Sequence, residues 1–165
     1  LLPLKQIKVE QLEGYRPPIP DWNYFFWLGC SDEEYENFRK QKKPKTVMYE
    51  AFGEKFPIQL KVDKYSMTGN LAIEMVNWKH RYPSSWAALT VDLNEVCEKD
   101  CSYVDTNHHG RKILSWIIEN GLGELTGQRN RSGYCTYEKI RFYPEKLKDC
   151  DPEGYQRYKI KFEET

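Results

Sequence analysis

The clearest pattern in this chain is an alternation of apolar and polar side chains that begins at Thr46. A period of two residues is typical of a strand with one buried face. Two such runs flank a turn at Gly53-Glu54, so they predict a β-hairpin with Phe56 to Val62 as its second strand. Four further strands are predicted, over Leu71 to Val76, Ala87 to Leu93, Tyr103-Val104 and Tyr134 to Tyr143.

Two other segments have helical features. Ser31 and Glu34 have the spacing of a capping box, which predicts a short helix over residues 32–42 that ends before Pro44. Asn107 is the predicted cap of a second helix, which ends at Asn120-Gly121. The apolar positions at helical spacing in that second helix are Ile113, Leu114, Ile117 and Ile118.

Glycines and polar residues predict a loop over 123–133, and the charged tail Asp151 to Thr165 is predicted to be a strand or a frayed end. Short connections between neighbouring strands favour an antiparallel arrangement. The predicted class is α+β, with a mainly antiparallel sheet of about five to six strands and two or so helices packed on it.

A length of 165 residues predicts one domain, and 39% apolar residues with 15% aromatic residues are enough to build its core. Within that domain we distinguish three parts by pattern. They are an aromatic-rich N-terminal arm and helix over 1–45, an α+β core over 46–147 and a tail over 148–165.

Charge and cysteine content limit the partners and the cellular compartment that we expect for this protein. Lys+Arg and Asp+Glu both number 25, which argues against a global field that would gather nucleic acid. The longest uncharged apolar run, Tyr24 to Cys30, is too short to span a membrane, and Leu1 to Leu4 is too short for an export signal. Position 1 is not Met, so residues upstream can be missing. Five cysteines form an odd set, which predicts unbridged thiols in a cytoplasm.

Candidate chemistry is sparse. Cys97, Cys101, His108 and His109 supply metal-ligand atoms within thirteen residues, but without the paired hooks of a structural zinc site, so we predict no metal and no cofactor. The sequence has no nucleophile elbow, phosphate loop or zinc-protease motif, which favours a protein that is not an enzyme. A cysteine–histidine pair brought together by the fold stays open as a third alternative.

Two basic segments could bind anions. Arg129 and Arg131 lie among glycines in Thr126 to Gly133, a composition that can hold a phosphate or carboxylate, although a solvated hairpin loop requires the same residues. Lys42 and Lys43 belong to a cationic run that also complements the C-terminal end of the predicted first helix. Together with Lys40 and Lys45, these residues are the candidates for nucleic-acid binding.

Aromatic residues are concentrated in two segments, Trp22 to Trp27 and Trp78 to Trp86. Large rigid rings dominate protein interfaces, and they also fill cores. Because Lys79 to Ser85 is polar enough to be a surface loop, we predict that Trp78 and Trp86 bind a protein partner and that at least one of the two indoles is partly exposed as an anchor.

A series of short motifs resembles a known family. Their order resembles that of a family of small uncharacterised proteins, labelled only as a domain of unknown function, from intestinal bacteria and their mobile elements. The resemblance extends from about Val47 to Leu147, departs from the family at Trp78 to Trp86, and transfers no catalytic residues. It implies a bacterial cytoplasm and a gene on a mobile element. The motifs are Tyr65 to Ile73, Ala88 to Leu93, Val104 to Asn107, Glu119 to Leu122, Leu125 to Gly127, Ser132 to Tyr134 and Arg141-Phe142.

Together these observations favour a non-enzymatic binding or accessory protein of a bacterial mobile element that acts through protein contacts. A nucleic-acid-binding accessory factor is the alternative, and a small hydrolase or transferase is the third. The identity of the partner and the oligomeric state stay open at this point.

Overall fold

A computed structural model describes residues 44–80 and 83–163, with side chains to residue 160. Within these residues the chain forms eight strands in two antiparallel four-stranded sheets, together with four helices. The α+β class is therefore confirmed, whereas the predicted number of strands was too low. The N-terminal arm and the helix predicted over 32–42 lie outside the described residues.

The first sheet has the order β1-β2-β3-β4 and the second β5-β6-β8-β7. None of the four helices in the described residues is long and apolar enough to cross a membrane. The strands are β1 Val47–Ala51, β2 Glu54–Lys64, β3 Leu71–Asn77, β4 Ser84–Ala88, β5 Thr90–Val91, β6 Cys101–Val104, β7 Gly123–Ser132 and β8 Cys135–Phe142, and the helices are α1 Thr106–His109, α2 Lys112–Glu119, α3 Pro144–Cys150 and α4 Pro152–Glu163.

The predicted hairpin is present as β1 and β2, joined by a two-residue turn. Ala51 pairs with Glu54, so the turn residues are Phe52 and Gly53, one position earlier than predicted. Both have positive φ, 53° and 74°, as the tight turn that matches the twist of two strands requires. Apolar residues of β2 then face the core, where Ile58, Leu60 and Val62 are fully buried.

The two sheets are joined at Leu89, between β4 and β5. Its N–H donates to the carbonyl of Ile73 in β3 (2.9 Å), while its carbonyl accepts from the N–H of Asp105 after β6 (2.9 Å). The next residue, Thr90, accepts the N–H of Ile73 on Oγ1 (3.0 Å) and shares a hydrogen bond with the hydroxyl of Tyr65 (2.8 Å). The single strand predicted over 87–93 is thus bonded to both sheets in turn.

The second predicted helix is divided in two. Asp105, not Asn107, caps α1, because its carboxylate accepts the N–H of His108 (3.1 Å). Gly110, with φ 78°, then interrupts the helix before α2 begins at Lys112. Of the four predicted apolar positions Ile113, Leu114 and Ile117 are buried, whereas Ile118 is 46% exposed.

The prediction of a loop over 123–133 is wrong, because residues 123–132 form β7 and pair with β8. β7 is an edge strand whose side chains are mostly exposed on both faces, so its sequence lacks the apolar alternation of β2. Gly127, with φ 83°, lies at an irregularity of the pairing between Leu125 and Arg129. Bulges of this kind are common at sheet edges.

The tail also differs from its prediction, since it forms α3 and α4 against β2. Beyond the end of β1, the outer edge of β2 is covered by the junction of these helices: Asp151 Oδ2 accepts the N–H of Val62 (3.0 Å), and Gln59 donates to the carbonyl of Cys150 (2.8 Å). Asp151 also caps α4 through the N–H of Gly154 (3.0 Å), directly before Pro152. Aspartate followed by proline is a helix-start signal that the sequence contained.

Two tyrosines of α4 bind Asp100, which precedes β6. Tyr155 donates its hydroxyl to the Asp100 carboxylate (2.8 Å), and the N–H of Asp100 donates to the hydroxyl oxygen of Tyr158 (2.8 Å). Burial, reinforced by the neighbouring Asp100 charge, raises the pKa of both phenols. The C-terminal helix is therefore attached to both sheets.

A smaller apolar cluster lies apart from the main core on the second sheet. It contains Cys97, Cys101, Tyr103 and Tyr137, with Cys135 packed against it. Burial raises the pKa of the Cys97 thiol to about 11, against an opposing effect of Lys139. The cysteines of the described residues, Cys97, Cys101, Cys135 and Cys150, are unbridged.

We predict that Gly154→Ala destabilises the protein by at least about 2 kcal/mol, because an added Cβ has no room. It would lie 2.1 Å from Asp151 Oδ2 and 2.3 Å from the Val62 carbonyl oxygen. The gain in helix propensity, about 1 kcal/mol, is smaller than this clash. Urea unfolding measures the change. The exposed Gln156→Ala on the same helix is the control, expected within about 0.5 kcal/mol of the parent; equal stability of both variants would contradict the packing described.

We also predict that stability falls as pH rises from about 9 to about 11. The unfolded Cys97 thiol loses its proton at a lower pH than the folded one, whose pKa is about 11, so alkaline pH favours the unfolded state. The same sign applies to Tyr155 and Tyr158. Urea midpoints between pH 7 and 11 measure the fall. In Cys97→Ala the urea midpoint should fall less steeply with pH. Equal falls in the two proteins would contradict the contribution of the Cys97 thiol.

Candidate functional site

Aromatic rings are concentrated at the turn end of the first sheet. Trp86 on β4 packs against Phe56 on β2, with ring centroids 4.7 Å apart, and lies 6.1 Å from Tyr49 and 6.4 Å from Phe52. These four residues, Tyr49, Phe52, Phe56 and Trp86, are called the aromatic surface below. Trp86 and Phe56 are half-buried, so part of each ring faces solvent.

Phe52 is the most exposed member of this surface. Its side chain is 92% exposed although it occupies a tight turn with φ 53°. A bulky residue in the left-handed region is unusual, and asparagine is favoured at this position of such turns. The ring therefore projects from the end of the hairpin at a cost to the backbone.

The aromatic surface continues inward through Tyr49 to α2. Tyr49 contacts Trp116 edge to face, with centroids 5.1 Å apart and planes at 87°. The indole N–H of Trp116 donates to the carbonyl of Met48 (2.8 Å), which attaches α2 to β1. Burial raises the pKa of the Tyr49 phenol.

Two grooves flank Tyr49 and meet at Lys112, whose ammonium lies 6.0 Å from the centre of the Tyr49 ring. The aromatic groove, of about 420 Å³, lies between Phe52 and Trp86 on one side and α1 on the other. The edge groove, also about 420 Å³, lies between β1 and α2. Both have apolar and charged walls.

His109 shapes the aromatic groove from α1. Its side chain is buried, and Nε2–H donates to the carbonyl of Ala88 (2.7 Å), the last residue of β4. The donor role follows because a carbonyl oxygen only accepts. This hydrogen bond joins α1 to the strand that carries Trp86, while His108 stays exposed at the rim.

Trp78 does not join Trp86. Its indole donates to Gln59 Oε1 (2.8 Å), and Gln59 alternates with the buried Ile58 and Leu60, so Trp78 lies on the opposite face of the first sheet. It is half-buried there. The neighbouring Lys79 reaches back to the Phe56 ring at 4.8 Å.

The predicted arginines lie on the second sheet. Arg129 is ion-paired with the buried Glu138 (Nε to Oε1, 2.6 Å), and Arg131 donates to the carbonyl of Gly133 (3.2 Å). Both residues belong to a paired strand rather than to the predicted loop, and anion binding by them stays a prediction. Lys42 and Lys43 lie outside the described residues.

The cysteine–histidine set is not assembled into one site. Cys97 and Cys101 belong to the cluster on the second sheet, whereas His109 binds the carbonyl of Ala88. Across the described part of the chain, no group of three or more His, Cys, Asp or Glu side chains is placed to hold a metal ion. Lys139, near these thiols, is buried and binds Glu98 (3.2 Å). Burial lowers the pKa of Lys139, but Glu98, Cys97 and Glu95 together raise it by more, so the net shift is upward.

Of the residues around the aromatic surface and its two grooves, the sequence singled out Trp86 as a candidate anchor, but it did not single out Phe52 or Lys112. Phe52-Gly53 carried a usable signal, since an aromatic residue in a two-residue turn between alternating runs departs from turn chemistry. The sequence held no signal for Lys112, because the break in the helix at Gly110 determines which face of α2 meets β1.

Comparison with known proteins gives one finding. No curated protein and no solved structure matches the chain. A family model described as a domain of unknown function (DUF4313) matches residues 59–162. The match runs from β2 to α4, so residues 148–162 of the tail, which were expected to lie outside the family, belong to it, whereas residues 47–58, which were expected inside it, precede the match. The chain is a member of the family that bears this description, DUF4313.

Proposed function

We propose that this protein is a non-enzymatic binding or accessory protein whose aromatic surface contacts a protein partner. The observation that carries the proposal is the exposure of the Phe52 ring at a strained turn position. Its ring is 92% exposed at a turn position of φ 53°, and it stands beside the half-buried Trp86.

Energetics support this interpretation. A left-handed residue other than glycine costs about 1–2 kcal/mol, and an exposed ring regains little of that by burial. Aromatic rings that protrude beside a pocket are typical anchors of protein interfaces. The cost is offset if the ring is buried in a complex.

The chemistry of the described residues favours binding over catalysis. A cysteine nucleophile requires a lowered pKa, whereas burial raises the pKa of the Cys97 and Cys101 thiols. The ring Nε2 of His109 is engaged by the Ala88 carbonyl. A small hydrolase or transferase stays the third alternative.

For the setting we propose a bacterial cytoplasm and a gene on a mobile element. The support is the odd number of cysteines, the unbridged state of the four described ones and the resemblance of the motifs. In that setting the protein would modify a host system by contact.

Nucleic-acid binding is the second candidate, because two cations lie beside rings of the aromatic surface. Lys79 is 4.8 Å from the centre of Phe56, and Lys112 is 6.0 Å from that of Tyr49. Stacking rings with nearby cations is typical of single-strand binding. Lys79, however, is ion-paired with Glu54 at 2.5 Å. A gel shift with single-stranded DNA and RNA that weakens steeply with salt would favour this candidate.

We predict that Phe52→Asn keeps the fold and abolishes capture of the partner. Asparagine before Gly53 suits the turn, so the melting temperature should stay equal or rise. Trp86→Ala should also reduce capture, but at a cost in stability because its ring packs on Phe56. Thermal melts and quantitative co-purification from the native host measure the two effects.

Tyr134, 99% exposed at the β7–β8 turn, supplies the matched control. Tyr134→Ser removes an equally exposed ring far along the chain and should leave capture unchanged. Undiminished capture by folded Phe52→Asn would remove the basis of the proposal, and equal loss in Tyr134→Ser would point to nonspecific adhesion of aromatic rings.

A further inference from the structure

We propose that the partner is held as an extended peptide segment that adds a β-strand to the outer edge of β1, with an acidic side chain against Lys112. This inference rests on the proposed function and specifies its chemistry. The edge groove between β1 and α2 is the binding site.

The register of the first hairpin determines which backbone groups face this groove. In a hairpin with a two-residue turn, the flanking pair Ala51–Glu54 is hydrogen-bonded, and bonded pairs then alternate with unbonded ones. Met48 and Glu50 belong to unbonded pairs, so their N–H and carbonyl groups point away from β2. The indole N–H of Trp116 donates to the Met48 carbonyl, which agrees with a carbonyl that points away from β2.

Glu50 therefore offers both a donor and an acceptor at the outer edge, and Met48 offers a donor. Within the described residues no backbone group pairs with them on that side, because β1 is the first strand of its sheet. A donor and an acceptor on one residue are what an added strand needs for a bonded pair. A compact globular ligand would not satisfy them in this way.

The groove has the dimensions and walls for such a segment. It has a volume of about 420 Å³, and the side chains of Trp116 and Ser115 from α2 oppose the β1 edge. Met48, 51% exposed, provides an apolar contact for alternate residues of the added strand.

Charge selects an acidic segment at one end. Lys112 lies where the edge groove meets the aromatic groove, and it makes no ion pair with a carboxylate of the described chain. Lys55 is a second cation of the edge groove, but the walls also carry Glu119 and Glu50, which lies opposite Lys55, so the attraction for an acidic residue is at the Lys112 end. An acidic residue near Lys112 would place the flanking apolar residues of the segment against Trp86 and Phe52.

The test uses the full-length chain and displayed linear peptides of about ten residues, randomised at every position. Enriched peptides are synthesised and their affinities measured. We expect enrichment of Asp or Glu among alternating apolar residues. Glu50→Pro removes the outward N–H without touching the β1–β2 ladder, and should weaken binding about tenfold. Glu50→Ala keeps that N–H and should bind within about twofold of the parent.

Two further measurements do not depend on the proline variant folding. Lys112→Gln should weaken binding about threefold and reduce its salt dependence. In the unsubstituted protein, the amide of Glu50 should exchange rapidly with solvent and become protected when peptide is added.

The proposal is overturned if no peptide binds more tightly than about 1 mM, or if folded Glu50→Pro binds like Glu50→Ala and the Glu50 amide gains no protection. If the Glu50 amide is already protected from exchange in dilute free protein, another part of this chain occupies the β1 edge. If its protection grows with protein concentration, a second copy of the chain occupies that edge. If Phe52→Asn loses the partner while Glu50→Pro keeps it, the edge inference fails and the proposed function survives.

Discussion

The structure depends on Leu89, which lies between β4 and β5 and is hydrogen-bonded to both sheets. At Leu89 the backbone donates to β3 on one side and accepts from the residue after β6 on the other, and Thr90 then substitutes its hydroxyl for a backbone acceptor. Because Leu89 is fully buried, both hydrogen bonds are costly to lose. Neither sheet can leave this junction without exposing polar groups of the other, so the sheets should unfold together.

The same junction positions the aromatic surface. Trp86 lies three residues before Leu89 on β4, and the carbonyl of Ala88 is held by His109. The hairpin brings Phe52 beside this strand, and Trp116 ties β1 to α2. Three separate segments of the chain thus converge, and each is fixed by a hydrogen bond or ring contact rather than by a loop.

The strands and helices that could be predicted from the sequence were those with one face buried in the core. β2 and β3 have one face in the core, so Ile58, Leu60 and Val62 alternate cleanly and the strands were found. β7 is polar because it is an edge, and polarity alone resembles a loop. In the tail, Tyr155 and Tyr158 share a face of α4, but charged neighbours hide that spacing, and only Asp151-Pro152 marked the helix start.

The site was predicted less completely than the fold. Trp86 was proposed from its residue type and its role as an anchor stays a prediction, whereas its separation from Trp78 follows from the face on which each strand residue points. Nothing in the sequence marked a partner for Arg129, yet it forms an ion pair with Glu138 on the neighbouring strand. Pairing partners nine residues or more apart, and the position of β1 at the outside of the first sheet among the described strands, are properties of register that no local pattern contains.

The cover that α3 and α4 provide for β2 has a consequence for biosynthesis. Asp151, which accepts the N–H of Val62, is added to the growing chain 89 residues later. At about 5–20 residues per second, the ribosome takes about 4 to 18 s to translate that interval. During this time β2 lacks the cover that Asp151 later provides at Val62, next to the apolar side chains of its inner face. A slowly translated message would prolong the period in which chaperones must shield this region from neighbouring polypeptides.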